Sequence, residues 1–112
     1  MNKFELFTMI FYSLDYYWQN HKSEDLGMFL SDMSPFTFKE IGSAIPDVYE
    51  DFCKFVKVDE IDLKDSFDIA GTYVASLNRP YITEAFSWVT EESWNKTAVK
   101  YLASDHKGKE LE

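Results

Sequence analysis

Phe4, Phe7, Phe11, Leu14 and Trp18 recur near the start of the chain at alternating steps of three and four, and Leu6, Ile10 and Tyr17 widen the stripe. This is a helical period, not the two-residue alternation of a half-buried strand. No Gly or Pro interrupts it, so it predicts a helix from about Asn2 to Asn20 with a broad buried face. Ser23 is placed to cap a second, shorter helix. Glu24 and Asp25 fall in its first turn, where the helix dipole favours carboxylates. Leu26, Phe29, Leu30 and Met33 form its apolar side, and Pro35 stops it. The Phe- and Ile-rich stretch from Ser34 to Ser43 reads as a loop or single turn packed down onto the body.

Pro46 suits the first turn of a third helix. Val48, Tyr49, Phe52, Phe55 and Val56 fall on one side of it, and Asp47, Glu50, Asp51, Lys54 and Lys57 on the other. Asp59-Glu60-Ile61-Asp62 breaks the pattern, and Asp62 can cap a fourth helix whose stripe is Leu63, Phe67, Ala70, Val74 and Leu77. Asn78-Arg79-Pro80 ends that helix. Ile82, Ala85, Phe86 and Val89 suggest a short fifth helix. Thr83 can cap it, while Thr90 can begin a last helix carrying Trp94, Ala98, Tyr101 and Leu102. No hairpin signal, internal repeat or low-complexity tract is present. The expectation is all-α: a compact single-domain helical bundle of five to six helices with short connections over residues 1–103, followed by a polar tail over 104–112. The weakest points of that expectation are Phe36–Ile41 and Tyr81–Ile82, where a short two-stranded element would fit. The closing Leu111-Glu112 resembles a cloning remnant and carries no weight.

Composition supports a real core and adds a charge imbalance. A chain of 112 residues with ten Phe, seven Tyr and three Trp has enough bulk to fold without disulfides. Twenty acidic residues against eleven basic ones leave a net charge of −9. Such a field repels nucleic acid and anionic lipid and attracts basic proteins, although solubility alone would also account for it. The single cysteine, Cys53, excludes an internal disulfide and any CxxC site. The apolar start is interrupted by Glu5 and lacks a signal-peptide cleavage site, and no run is long enough to span a membrane. A reducing cytoplasm is therefore the expected compartment.

The candidate chemistry is sparse. His21 and His106 have no second histidine at ligand spacing, and His21 near a helix C-terminus is more simply a cation complementing the dipole. Cys53 lies among Phe52, Phe55 and Asp51, an apolar and acidic setting that disfavours a reactive thiolate. Asp59, Glu60, Asp62, Asp65 and Asp68 lack the glycine turn and closing Glu of a calcium loop. No phosphate loop or nucleophile elbow is present, so neither a cofactor nor a catalytic residue is expected. From Lys39 to Asp68, nine acidic residues face four lysines, and their charges share the outward sides of the third helix, the following turn and the start of the fourth. That distribution fits either a patch that steers a basic partner or an ordinary solvated face. Tyr12, Tyr16 and Tyr17 cannot all point inward beside Phe11, Leu14 and Trp18, so one or two of them should reach the surface.

Leu26-Gly27-Met28-Phe29-Leu30-Ser31-Asp32-Met33-Ser34-Pro35-Phe36, followed by Gly42-Ser43-Ala44-Ile45-Pro46, resembles a motif of small bacterial immunity proteins from polymorphic-toxin systems, including contact-dependent growth inhibition. The resemblance covers about residues 4–56. Ser34 stands where the pattern has Asn, and Ile45 where it has Asp. It implies a cytoplasmic, non-enzymatic protein that binds and neutralises a toxin domain, and it carries no catalytic residues. A basic toxin domain such as a nuclease would suit the acidic charge, and the partner-binding residues expected are Glu50, Asp51, Asp59, Glu60, Asp62 and Asp65. Two other readings stand beside it: an adaptor or self-associating helical domain, and a small carboxylate-using enzyme, which would need a deep polar pocket.

Overall fold

The structure, a computed structural model, describes residues 1–35 and 42–104. Six helices follow one another: α1 (Lys3–Asn20), α2 (Glu24–Met33), α3 (Pro46–Phe55), α4 (Leu63–Ser76), α5 (Pro80–Ser87) and α6 (Glu91–Ala103). Among the described residues the only β-type pairing is a single bridge between Asn2 and Glu60. Tyr81–Ile82, where a strand was conceivable, lies inside α5. The other such place, Phe36–Ile41, lies outside the described residues, as does nearly all of the C-terminal tail with His106.

The helix starts follow local chemistry. Asn2 caps α1 by accepting the Glu5 N–H at 2.8 Å, and the Glu5 carboxylate accepts the Asn2 N–H at 2.8 Å, a reciprocal capping box. Ser23 accepts the Leu26 N–H at the start of α2, and Thr90 accepts the Ser93 N–H at the start of α6. Pro46 and Pro80 each occupy the first turn of a helix, where a missing N–H costs nothing. Two caps expected from sequence are corrected. Asp62 precedes α4, but its side chain accepts no N–H there. Thr83 is inside α5, whose start is fixed by Pro80, and its hydroxyl donates back to the Arg79 carbonyl. Between α4 and α5, Asn78 takes the left-handed conformation, with φ of 55°, that Asn tolerates better than most side chains.

The stripe predicted for α1 is buried through Leu14, with Tyr17 and Trp18 half-buried, and in the N-terminal half the burial goes further. Phe4 and every residue from Leu6 to Phe11 are buried, Thr8 and Met9 included. A helix covered on all sides is one that others surround, and α1 packs against each of the other five. At ~1.5 Å per residue its eighteen residues run about 27 Å. That nearly spans a molecule of 31 × 30 × 28 Å, so α1 is the axis of the fold. Two aromatic clusters fill the space around it. Phe7, Tyr49, Phe52 and Tyr73 meet mostly edge-to-face and join α1, α3 and α4. Phe67, Phe86 and Trp94 join α4, α5 and α6, with ring centroids 5.7–6.0 Å apart.

Residues 26–33 and 43–46 serve this packing. Leu26, Phe29, Leu30 and Met33 are buried. A Cβ on Gly27 would come 3.0 Å from the indole nitrogen of Trp18, whose N–H donates to the Ser23 carbonyl at 3.1 Å, so glycine permits a close helix–helix approach. The two ends of the α2–α3 connection are tied by the Ala44 N–H to the Ser34 carbonyl and the Ile45 N–H to the Asp32 carbonyl, both at 2.9 Å. Ser43 is buried; its hydroxyl donates to the Ile45 carbonyl and accepts the Tyr49 N–H. Ser43→Ala would leave that N–H with no side-chain acceptor in a dry setting. It is expected to destabilise the fold by about 1–2 kcal/mol, seen as a lower urea midpoint at unchanged slope.

Candidate protein-binding face

The six carboxylates expected at an interface are all solvent-exposed. Glu50 and Asp51 are on α3, Asp59 and Glu60 in the turn after it, Asp62 just ahead of α4 and Asp65 in its first turn. They are not equally available. Asp59 lies 3.7 Å from the Lys3 ammonium, which also reaches the Cys53 carbonyl at 3.5 Å. The N-terminal ammonium of Met1 lies 3.3 Å from Glu60 and donates to the Ile61 carbonyl at 2.7 Å. The turn is thus clipped to the start of α1, and two of its charges are partly balanced there.

Asp51 acts electrostatically on Tyr73 of α4. The hydroxyl of Tyr73 is pushed up to about 12, first by burial and then by the negative charge of Asp51, with the Arg79 guanidinium pulling the other way. Tyr49 is raised as well, by burial and by its neighbour Cys53. Cys53 itself is half-buried on α3. Among the described residues, no three His, Cys, Asp or Glu side chains gather as a metal would require, and no helix is long and apolar enough to cross a membrane.

What the sequence missed is the apolar surface among these charges. Phe55, assigned from periodicity to the buried side of α3, is 39% exposed at the last residue of that helix, with the Tyr73 ring edge-on to it at 5.6 Å. Val58 is more than half exposed. Together they border a shallow groove of about 290 Å³ between the end of α3 and the outer side of α4, closed by Val56, Ile69 and Thr72 with Lys57 and Asp68 at its edges. Asp51 precedes Phe55 by one helical turn, Asp59 follows Val58 directly, and Asp65 lies one turn before Ile69. An apolar centre with a charged border is the anatomy of a protein interface. The groove is open and mostly apolar, a shape suited to receiving side chains and not to enclosing a substrate.

His21 follows α1 as its capping residue, as sequence placed it, with its ring stacked on Tyr17 at 4.5 Å and against Trp88 at 4.5 Å. Of the three tyrosines considered for the surface, Tyr16 is the exposed one, and Tyr12 and Tyr17 are half-buried. In comparisons with known proteins, no family model, no curated protein and no solved structure matches the chain.

Proposed function

We propose that this domain is an immunity-type inhibitor that neutralises a basic toxin domain by covering its surface with the α3–α4 face. The observation that carries this reading is the exposed Phe55–Val58 groove set among Asp51, Asp59, Asp65 and Asp68. Carboxylates around it would steer a basic partner and raise the association rate, and the desolvated apolar centre would hold it. The net charge of −9 acts in the same direction, as does the resemblance of residues 4–56 to immunity proteins.

The test uses a basic toxin domain, sought in the gene beside the one for this chain, and measures association and dissociation separately. Asp62→Lys with Asp65→Lys is expected to slow association by roughly ten-fold or more at low salt and to flatten its salt dependence. Phe55→Ala is expected to act on dissociation, speeding it by roughly ten-fold or more. Association rates unchanged by the charge reversal would rule this face out, and absence of binding at low salt would rule out the inhibitor reading.

A further inference from the structure

A second concavity, of about 640 Å³, lies between the C-terminal half of α1 and the α5–α6 connection. It is separate from the α3–α4 face: Asn2, which bridges to Glu60, and Tyr16, which borders this groove, are about 20 Å apart along α1 at ~1.5 Å per residue. Its walls are aromatic. Tyr16 is 73% exposed and Trp88 63%, the most exposed of the described aromatic side chains. Trp88 is nevertheless held in place, because Tyr17 meets it edge-on at 5.5 Å and His21 lies against it at 4.5 Å. Two large rings, one of them braced, are thus left facing water.

Several polar groups around these rings are tied within the protein. The Ser13 hydroxyl donates to the Met9 carbonyl, the Gln19 amide donates to the Asp15 carboxylate at 2.7 Å, and the Ser93 hydroxyl donates to the Thr90 carbonyl. The hydroxyl hydrogens of Ser13 and Ser93 are thus turned back onto their own helices, and the acceptor with a full charge in the groove is the Asp15 carboxylate. Asp15 is the one Asp, Glu, Lys, Arg or His side chain that lines it; Glu91 and Glu92 follow the lining residue Thr90 in sequence, and Glu92 is paired with Lys96 at 3.4 Å. A matching ligand group carries positive charge, donates hydrogen bonds to Asp15 and presents a flat face to aromatic rings. Guanidinium has all three properties; lysine's ammonium has no flat face.

We propose that this groove receives an arginine side chain from a basic segment of a partner protein, with the guanidinium against Tyr16 and Trp88 and its N–H groups on Asp15. A second copy of this chain is a poor occupant, since it would bring another net charge of −9 to the same acidic site.

The test requires no knowledge of the partner. Isotope-labelled full-length protein is titrated with acetyl-Leu-Arg-Leu-amide at millimolar concentrations while the Trp88 indole N–H resonance is followed; the resonance is assigned by its loss in Trp88→Ala. The same peptide with citrulline in place of arginine keeps the shape and removes the charge. The arginine peptide is expected to shift the Trp88 indole and neighbouring amides, and the citrulline peptide to bind at least about ten-fold more weakly. Tyr16→Ala and Asp15→Asn should each weaken binding by roughly five-fold or more, and Tyr16 is too exposed for its removal to threaten folding. Equal binding of the two peptides, no shift with either, or insensitivity to Tyr16→Ala would overturn the proposal. Concentration-dependent shifts at Trp88 that the arginine peptide fails to displace would overturn it in favour of self-association.

Discussion

Trp94→Ala is expected to leave little or no folded protein at physiological temperature. The side chain is 1% exposed and lies against Phe67 of α4 and Phe86 of α5, so it joins three of the six helices. Truncating a buried Trp costs about 3–5 kcal/mol, against a total stability of about 5–15 kcal/mol for a domain. At about 4–8 °C per kcal/mol for a small domain, the thermal midpoint should fall by on the order of 20 °C. Cavity and hydrogen bond contribute separately. The Trp94 indole N–H donates to the buried Ser66 hydroxyl at 2.8 Å, and that hydroxyl donates to the Leu63 carbonyl at 2.7 Å. Ser66→Ala leaves the indole N–H unpaired in a dry site, at about 1–3 kcal/mol. In a Trp94→Phe background the same substitution removes no such partner and should cost much less. A double-mutant cycle by urea unfolding measures the difference, with a coupling of about 1–2 kcal/mol expected. Additive effects would mean that the Trp94–Ser66 bond contributes nothing beyond its surroundings.

That pair also marks where sequence reasoning reaches its range. Trp94 is legible as a buried position because Ala98, Tyr101 and Leu102 repeat with it at helical spacing. Ser66 is not, because a serine between charged neighbours in the sequence gives no sign that an indole from twenty-eight residues away will reach it. The same division holds elsewhere. Ser23, Pro46 and Thr90 announce their helices, since capping and proline placement depend on neighbours within a turn. The depth to which α1 is buried is hidden, because periodicity gives the face a helix prefers and not the number of helices that will cover it.

The candidate face follows this rule as well. Its carboxylates are readable as a charge run, and their exposure on α3, the turn and α4 agrees with the expected outward placement. Phe55 is misread because an apolar residue in register with Phe52 looks buried, whereas the core takes Phe52 and Val56 and leaves Phe55 39% exposed. The links from Asp59 and Glu60 to the start of α1 span more than fifty residues, and no local pattern encodes them. The arginine-receiving groove is nonlocal in the same way, since its walls come from residues 12–19 and 88–97. Helix identity is thus set by short-range chemistry, while the surfaces available to partners arise only where distant segments meet.

Alkaline conditions should unfold this protein far more steeply than its charge alone would suggest. Tyr73 and Tyr101 are 3% and 0% exposed, and each hydroxyl is pushed up from 10.0 to about 12, chiefly because burial penalises the phenolate. Below pH 10 both the folded and unfolded chains keep these protons, so the stability associated with them is fully present. Between pH 10 and about 12 the unfolded chain releases them while the folded chain holds them, and ionisation draws the equilibrium toward unfolding. Each tyrosine then removes about 1.4 kcal/mol of stability per pH unit, so the pair removes about 5 kcal/mol by pH 12. Tyr49, raised in the same direction, adds to the loss. Such a loss is comparable to the whole stability of a small domain. Urea midpoints measured from about pH 9 upward should therefore be level at first and then collapse above pH 10. Tyr101→Phe should make the descent visibly shallower, because phenylalanine has no proton to lose in either state. A profile that stays level to pH 12, or one that Tyr101→Phe leaves unchanged, would mean that solvent reaches these phenols and that the packing around Tyr73 and Tyr101 is looser than described.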